Sequence, residues 1–338
     1  DGQILEEGIT EAGAMSSFIA AGTSYSTLGV PMVPFFSFYS MFGFQRIGDL
    51  LWAAADQRTR GFLLACTAGR TTLVGEGLQH ADGHSHVLAS VIPTVEAYDP
   101  AFAYETAEIV RHGIDDMEGE NPRDVMYYLT LTNENIAMPA MPEGVSGDDV
   151  VGGLYRYAAA PDGVPWRGTI LFSGPMNVPA RAAVELLAER FGIGVDLWSA
   201  TSYKHLRADA LAVERWNRLH PGDEPRSARV TDLLTGSFDG LDVPLADAPV
   251  VAVTDYLTLV PDQVTRWVPR PYTVLGTDGF GRSDTREALR RFFEVDEHHL
   301  AIAVLAGLAR NGHVEPDVVA KAIADFDVDP ETSPPFTR

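Results

Sequence analysis

Short apolar runs separated by amphipathic stretches constrain the fold of this sequence more than any other feature. Helical spacing covers residues 42–57, 101–117 and 177–192, among other stretches. Strands that alternate with helices predict parallel sheets covered by helices on both faces. We therefore expect an α/β protein with mainly parallel sheets. The clearest predicted strands are GFLLAC (61–66), DVMYYLTLT (124–132), GTILFSG (168–174) and PVVAVTDY (249–256).

The length and the distribution of proline and glycine predict two domains. A chain of 338 residues corresponds to roughly two domains of about 150 residues each. Residues 133–150 are rich in proline and glycine, lack periodicity, and separate two sets of strands and helices. We predict a first domain over 1–140, a linker over 141–150, a second domain over 151–327 and a loose proline-rich tail over 328–338.

Charge and cysteine content exclude several classes of function. The net charge of −22 repels phosphate backbones and anionic membranes, so we expect no nucleic-acid partner. Apolar stretches stay shorter than about 18 residues, so we expect no membrane span. The single cysteine, Cys66, excludes an intramolecular disulfide and indicates a reducing compartment, which we take to be the cytoplasm.

The first predicted helix carries a carboxylate on its apolar face. Helical spacing begins at Ile4 and ends near Ala21, and it places Glu11 in an apolar row. A carboxyl group on a buried face would have a raised pKa unless it were paired. The alternative is that Glu11 lies at the rim of this face and reaches water. The other members of the row are Ile4, Gly8, Met15 and Phe18.

A histidine-rich stretch, GEGLQHADGHSH (75–86), is the second candidate for chemistry. One interpretation is a transition-metal site, because imidazole and carboxylate groups are ordinary ligands. The glycines argue against a regular helix that would hold such ligands, and a solvated polar loop is the simpler alternative. A catalytic loop would require a partner elsewhere in the chain. The side chains available to a metal are His80, Asp82, His84 and His86.

A resemblance to a known family identifies the partner that a catalytic loop would require. The run GITEAGAM (8–15) resembles the helix of the transketolase superfamily in which a glutamate bonds N1′ of the thiamin aminopyrimidine. Longer segments are similar to the homodimeric pyruvate dehydrogenases, and the resemblance covers essentially the whole chain. It implies a partial pyrimidine-binding domain followed by a transketolase C-terminal-like domain. The similar segments are 23–57, 67–86, 133–144 and 276–296.

The resemblance also implies an activity and roles for individual residues. It implies a thiamin diphosphate-dependent homodimer that decarboxylates pyruvate and acetylates a lipoyl group of a dihydrolipoyl acetyltransferase. Glu11 matches the glutamate that drives tautomerisation of the aminopyrimidine. Tyr39 and Phe42 match aromatics that line the pyrimidine, His80 matches the histidine beside the reacting carbonyl, and Glu76 matches a carboxylate that lines the site. His84 and His86 are then structural, and the stretch needs no metal.

One departure from the family bears on what this chain can do by itself. The family holds the diphosphate and Mg²⁺ through a G-D-G…N motif in an N-terminal half, and no GDG occurs in this sequence. The chain is then expected to supply one wall of a site completed elsewhere. The alternatives are a catalytically incomplete dimerisation or docking module of such an enzyme, and an enzyme of the transketolase type.

Overall fold

A computed structural model describes residues 3–235 and 240–338. Its first sheet has four parallel strands in the order β1-β2-β4-β3. These strands are β1 (Phe35–Phe38), β2 (Gly61–Cys66), β3 (Val95–Tyr98) and β4 (Met126–Leu131). The helices around them are α1 (Glu11–Gly22), α2 (Ser24–Thr27), α3 (Phe44–Asp56), α4 (Ser85–Ser90) and α5 (Ala103–Glu118). We call this group of elements the first lobe.

The two central strands of the first lobe are apolar on both faces. In β2, Leu63 faces a core shared with α1 and α3. The preceding residue, Phe62, faces a core shared with α5. In β4, Tyr128 and Tyr127 divide between the same two cores. Successive side chains of a strand point to opposite faces, so a strand covered on both sides must be apolar throughout. The predicted mainly parallel α/β fold is confirmed.

The predicted linker packs against the first lobe. It contains a short helix, α6 (Gly147–Val151), whose side chains Val150 and Val151 are buried in the same core as Phe62 and Tyr98. Ser146 caps this helix by accepting a hydrogen bond from the amide of Asp149. The structure therefore differs from a free connecting segment, because these apolar residues cover the α5 side of the sheet.

A second sheet has five strands in the order β5-β7-β6-β8-β9, all parallel except β5. These strands are β5 (Tyr155–Ala158), β6 (Trp166–Phe172), β7 (Gly194–Ser199), β8 (Val250–Val253) and β9 (Tyr272–Leu275). The helices are α7 (Asn177–Phe191), α8 (Tyr203–Leu219), α9 (Arg229–Thr235), α10 (Arg286–Phe292), α11 (Glu297–Arg310) and α12 (Pro316–Asp325). We call this group the second lobe. Across both described ranges, no helix is long and apolar enough to cross a membrane.

The N-terminal helix starts later than its sequence predicts. It begins at Glu11 and not at Ile4, because Gly8 has a left-handed φ of 68° and Thr10 caps the helix by accepting a hydrogen bond from the amide of Gly13. Ile9 remains 98% exposed. The predicted start of this helix at Ile4 is therefore wrong, and Glu11 lies in the first helical turn, at the end of the face that buries Met15 and Phe18.

Three elements of the second lobe were not predicted from the sequence: β5, α8 and α9. The longest, α8, begins after Ser202, whose hydroxyl accepts a hydrogen bond from the amide of His205. Its apolar side chains Leu206 and Ala210 are buried one turn apart. The predicted loose tail also has contacts, since Arg338 donates a hydrogen bond to Glu294 at 3.0 Å.

Candidate active site

The candidate residues gather at the carboxyl ends of β1 and β2. These strands are hydrogen-bonded neighbours and parallel, so the segments that follow them leave the sheet side by side. Tyr39 and Phe42 belong to the short turn after β1, and residues 67–84 form the long segment after β2. Ligands of open parallel sheets bind at the carboxyl ends of the strands. Sheet topology thus brings two stretches together that are about forty positions apart in sequence.

Three rings form the centre of the cluster. The imidazole of His80 lies edge-on to Tyr39 at 5.0 Å and to Phe42 at 5.4 Å between ring centroids. The two aromatic rings are themselves perpendicular, 6.2 Å apart. Tyr39 is 50% exposed although it packs on two neighbours. The cluster therefore presents an open aromatic surface beside an imidazole, which suits a flat heteroaromatic ligand.

Glu76 and His80 form a loose pair within the histidine-rich stretch. The Oε2 atom of Glu76 lies 3.8 Å from Nε2 of His80, which belongs to a single 3₁₀ turn. Nδ1 of His80 is buried, and no described residue hydrogen-bonds to it. A buried ring nitrogen without a partner is costly, so a ligand or water that supplies one is favoured there.

Glu11 joins the cluster through Arg46, a residue that the sequence did not predict. Nη1 of Arg46 lies 3.0 Å and 3.2 Å from the two carboxylate oxygens of Glu11. The same guanidinium lies 4.1 Å from the ring centroid of Phe42. The Glu11 side chain is 12% exposed, so the ion pair leaves it partly accessible. Arg46 thus links the carboxylate of α1 to the aromatic turn. The sequence signalled this contact only in that a largely buried carboxylate needs a cation.

The other charged groups of the histidine-rich stretch are engaged elsewhere. The carboxylate of Asp82 is fully buried and accepts hydrogen bonds from the hydroxyl of Ser40 and from the amides of His84 and Ser85. His86 contacts β4, where its Nε2 lies 3.0 Å from the hydroxyl of Thr130, and burial lowers its pKa to about 4.

His84 contacts Gln45 at the surface, so His80, His84 and His86 each have different neighbours. Among the described residues, no three histidine, cysteine, aspartate or glutamate side chains are grouped to hold a metal ion.

Comparisons with known proteins identify the two halves of the chain. Residues 1–139 match the family model of the pyruvate dehydrogenase E1 component middle domain. Residues 153–296 match the model of the transketolase-like C-terminal domain.

Similar folds occur among solved structures. A transketolase from Campylobacter jejuni superimposes with a TM-score of 0.59 at 16% identity, covering 85% of this chain and 38% of that one. A split-gene transketolase described as an inactive β4 tetramer gives 0.59 at 19% identity, covering 89% and 83% of the two chains. At these identities the likeness shows the fold alone.

Curated relatives are much closer in sequence. The chain is 54% identical over 336 residues to the pyruvate dehydrogenase E1 component of Pseudomonas aeruginosa, which covers 99% of this chain and 37% of that protein. It is 50% identical over 329 residues to the E1 component of Escherichia coli K12, covering 97% and 36%. The chain thus spans little more than a third of the length of these relatives. From both domain matches and the near-complete coverage, we conclude that the chain belongs to the family of pyruvate dehydrogenase E1 components and corresponds to their C-terminal part.

Proposed function

We propose that this chain forms the pyrimidine-side wall of a thiamin diphosphate-dependent pyruvate dehydrogenase. The enzyme would decarboxylate pyruvate and acetylate a lipoyl group of a dihydrolipoyl acetyltransferase. One observation carries the proposal: Glu11, Tyr39, Phe42, Glu76 and His80 belong to one cluster although their positions span both strand ends and the first helix.

The cluster fits the aminopyrimidine part of this cofactor. An open aromatic surface formed by Tyr39 and Phe42 suits a flat heteroaromatic ring, and the carboxylate of Glu11 is an acceptor at its edge. When bound, thiamin diphosphate would supply a nucleophilic carbon and, in its cationic thiazolium ring, an electron sink for the decarboxylation of a 2-oxoacid.

The diphosphate and Mg²⁺ lack an evident site within the described ranges, where no group of three metal-ligating side chains occurs. We propose that other parts of the full-length protein hold them, in agreement with the chain's short coverage of its relatives.

Each residue of the cluster has a definite task in this proposal. Glu11 exchanges a proton with the ring nitrogen of the pyrimidine, and Arg46 holds the carboxylate in place between such transfers. Tyr39 and Phe42 exclude water from one face of the ring. His80 presents a ring nitrogen to the oxygen of the substrate carbonyl, where it stabilises developing negative charge, and Glu76 lies beside it with Oε2 3.8 Å from Nε2.

The proposed enzyme is a cytoplasmic homodimer. An exposed aromatic surface and a largely buried carboxylate make one wall of a site, which a second copy can complete. The lone Cys66 suits a reducing compartment.

Pyruvate-dependent reduction of ferricyanide by the full-length protein tests this function, because it requires decarboxylation and no acyltransferase. We expect turnover that depends on both thiamin diphosphate and Mg²⁺. A folded full-length protein that binds the cofactor without turnover would favour a docking module. Turnover of ketose phosphates in place of pyruvate would favour an enzyme of the transketolase type.

A further inference from the structure

The segment that carries His80 is anchored at both ends on the second lobe. It leaves β2 at residue 67 and reaches α4 at Ser85, and on the way it lies against residues 255–286. The contacts fall on both sides of His80 in sequence, at 69–72 and at 81–83. His80 itself packs only on first-lobe aromatics among its ring contacts within the described ranges.

Asp255 makes the first anchor. It follows β8 and is fully buried, and its Oδ2 accepts hydrogen bonds from the amides of Arg70 at 2.9 Å and Thr71 at 3.2 Å. Its Oδ1 accepts from the same Thr71 amide at 3.0 Å. Carboxylates that accept backbone amide bonds form strong, directional contacts. One side chain of the second lobe therefore fixes two consecutive backbone units of the histidine segment.

Gly69 shows how closely the two lobes approach at this anchor. It has a left-handed φ of 91°, and a Cβ placed on it would lie 2.0 Å from Oδ2 of Asp255. A side chain at position 69 would therefore strain the backbone and displace the carboxylate together.

The second anchor lies after His80 in sequence, and the second lobe supplies it from the same loop as Asp255. The amide of Leu257, two residues after Asp255, donates to the carbonyl of Gly83 at 2.7 Å. A Cβ added to Gly281 would lie 2.1 Å from the Cβ of Ala81, so the histidine segment and the second lobe also touch there. The buried guanidinium of Arg70 closes the arrangement by donating to the carbonyl of Thr277.

We propose that the second lobe positions the catalytic histidine of the first lobe, and that Asp255 is the positioning residue. This inference rests on the proposed role of His80. The second lobe then contributes to catalysis without touching substrate, since it sets where the imidazole lies relative to Tyr39 and Phe42. Displacing a reacting group by about 1 Å can cost on the order of 10²-fold in rate.

The test uses the full-length protein with Asp255→Ala, Asp255→Asn and Gly69→Ala. Asp255→Ala removes all three accepted bonds, whereas Asp255→Asn keeps one acceptor oxygen and should retain more activity. We expect kcat to fall about 10²-fold in Asp255→Ala and in Gly69→Ala, with the KM for pyruvate changed less than about twofold. The double variant Asp255→Ala/Gly69→Ala should have a kcat little lower than that of either single variant, because the two substitutions disturb the same contact.

Gly144→Ala is the matched control. Gly144 has a comparable φ of 81°, and no described atom lies within 4 Å of a Cβ added there. It should show a similar backbone penalty with unchanged kcat. Equal losses of kcat in Gly144→Ala and Gly69→Ala would overturn the proposal.

Hydrogen exchange separates this inference from the proposed function. In Asp255→Ala, amides of residues 70–83 should exchange about tenfold faster or more than in the parent protein, while those of β2 and β4 stay protected. Unchanged exchange at 70–83 would overturn the anchoring whether or not the protein turns over pyruvate. Faster exchange in a protein that lacks pyruvate turnover would reject the proposed function alone.

Discussion

Glu11 and Arg46 show how a single ion pair defines the edge of the candidate site. The guanidinium contacts both carboxylate oxygens and the face of Phe42, so it fixes the carboxylate relative to the aromatic turn. Because the side chain of Arg46 is half exposed, solvent screens this ion pair, which contributes little to stability but orients the groups that it joins. We therefore expect substitutions of Glu11 to affect catalysis more than folding.

Glu11→Gln in the full-length enzyme should lower pyruvate turnover by about 10²–10⁴-fold, because an amide cannot exchange the required proton. Glutamine is close in size, so the melting temperature should change by no more than a few degrees. The ferricyanide assay and a thermal scan measure the two effects. Retention of more than about a tenth of the parent activity would contradict the role of Glu11.

His80 and His84 form a comparison within one loop. His80 contacts Tyr39 and Phe42 and has an unpaired buried Nδ1 within the described structure, whereas His84 contacts Gln45 at the surface. We expect His80→Ala to lower kcat at least about tenfold more than His84→Ala, since only His80 faces the aromatic surface. Equal losses, together with the loss of a bound metal in elemental analysis, would favour a metal site.

Burial of His86 makes stability depend on pH. Burial lowers the pKa of His86 from 6.5 to about 4, so the unfolded chain takes up this proton at a higher pH than the folded chain does. The contribution of the neutral imidazole to the free energy of unfolding is complete above pH 6.5. It is lost as the pH falls toward 4, at up to about 1.4 kcal/mol per pH unit.

Urea unfolding of the parent and His86→Gln proteins from pH 7 to pH 4 measures this contribution. As the pH falls across that range, the free energy of unfolding of the parent should decrease more than that of the variant. The comparison with a variant is necessary because burial raises the pKa values of Asp99 and Asp255 to about 7, which produces the opposite slope. Parallel stability curves for the two proteins would contradict the assignment.

At the scale of elements, strand runs and helical spacing predicted most of the framework. The runs around β2, β4, β6 and β8 were recognisable because strands buried on both faces are apolar throughout. The first helix was predicted too long, because a left-handed glycine and a capping threonine end the helical path before Glu11. The α8 helix was missed although Ser202 provides a capping signal, since its buried face carries few large apolar residues.

The cluster itself could be predicted only in part. Glu11, Tyr39, Phe42, Glu76 and His80 were candidates through family resemblance, and the structure brings them together. Their tasks remain proposals. Arg46 could not be predicted, because its contact with Glu11 spans 35 positions and depends on how α1 crosses α3. The Asp255 anchor spans 185 positions and joins two lobes, so no local pattern indicates it.

At the scale of the whole molecule, the proposed function makes the two lobes parts of one wall of the site. The second lobe fixes the histidine segment, and the packed connection around α6 ties the lobes through a shared core. The wall nevertheless offers the cofactor mainly aromatic surface and the two carboxylates of Glu11 and Glu76. Charge-assisted contacts of a diphosphate with a divalent cation supply much of the binding free energy for such ligands.

We therefore predict that this chain alone does not bind thiamin diphosphate tightly. No group of three metal-ligating side chains occurs in the ranges that the structure describes, and the net charge of −22 repels the diphosphate at long range. Each 1.4 kcal/mol lost is a factor of about ten in affinity, so loss of the cation contacts should weaken binding by several powers of ten. Calorimetric titration with thiamin diphosphate and Mg²⁺ measures this, with circular dichroism to establish that the chain is folded and the full-length protein as the positive control. Micromolar binding by the isolated chain would mean that the diphosphate is anchored within these residues after all.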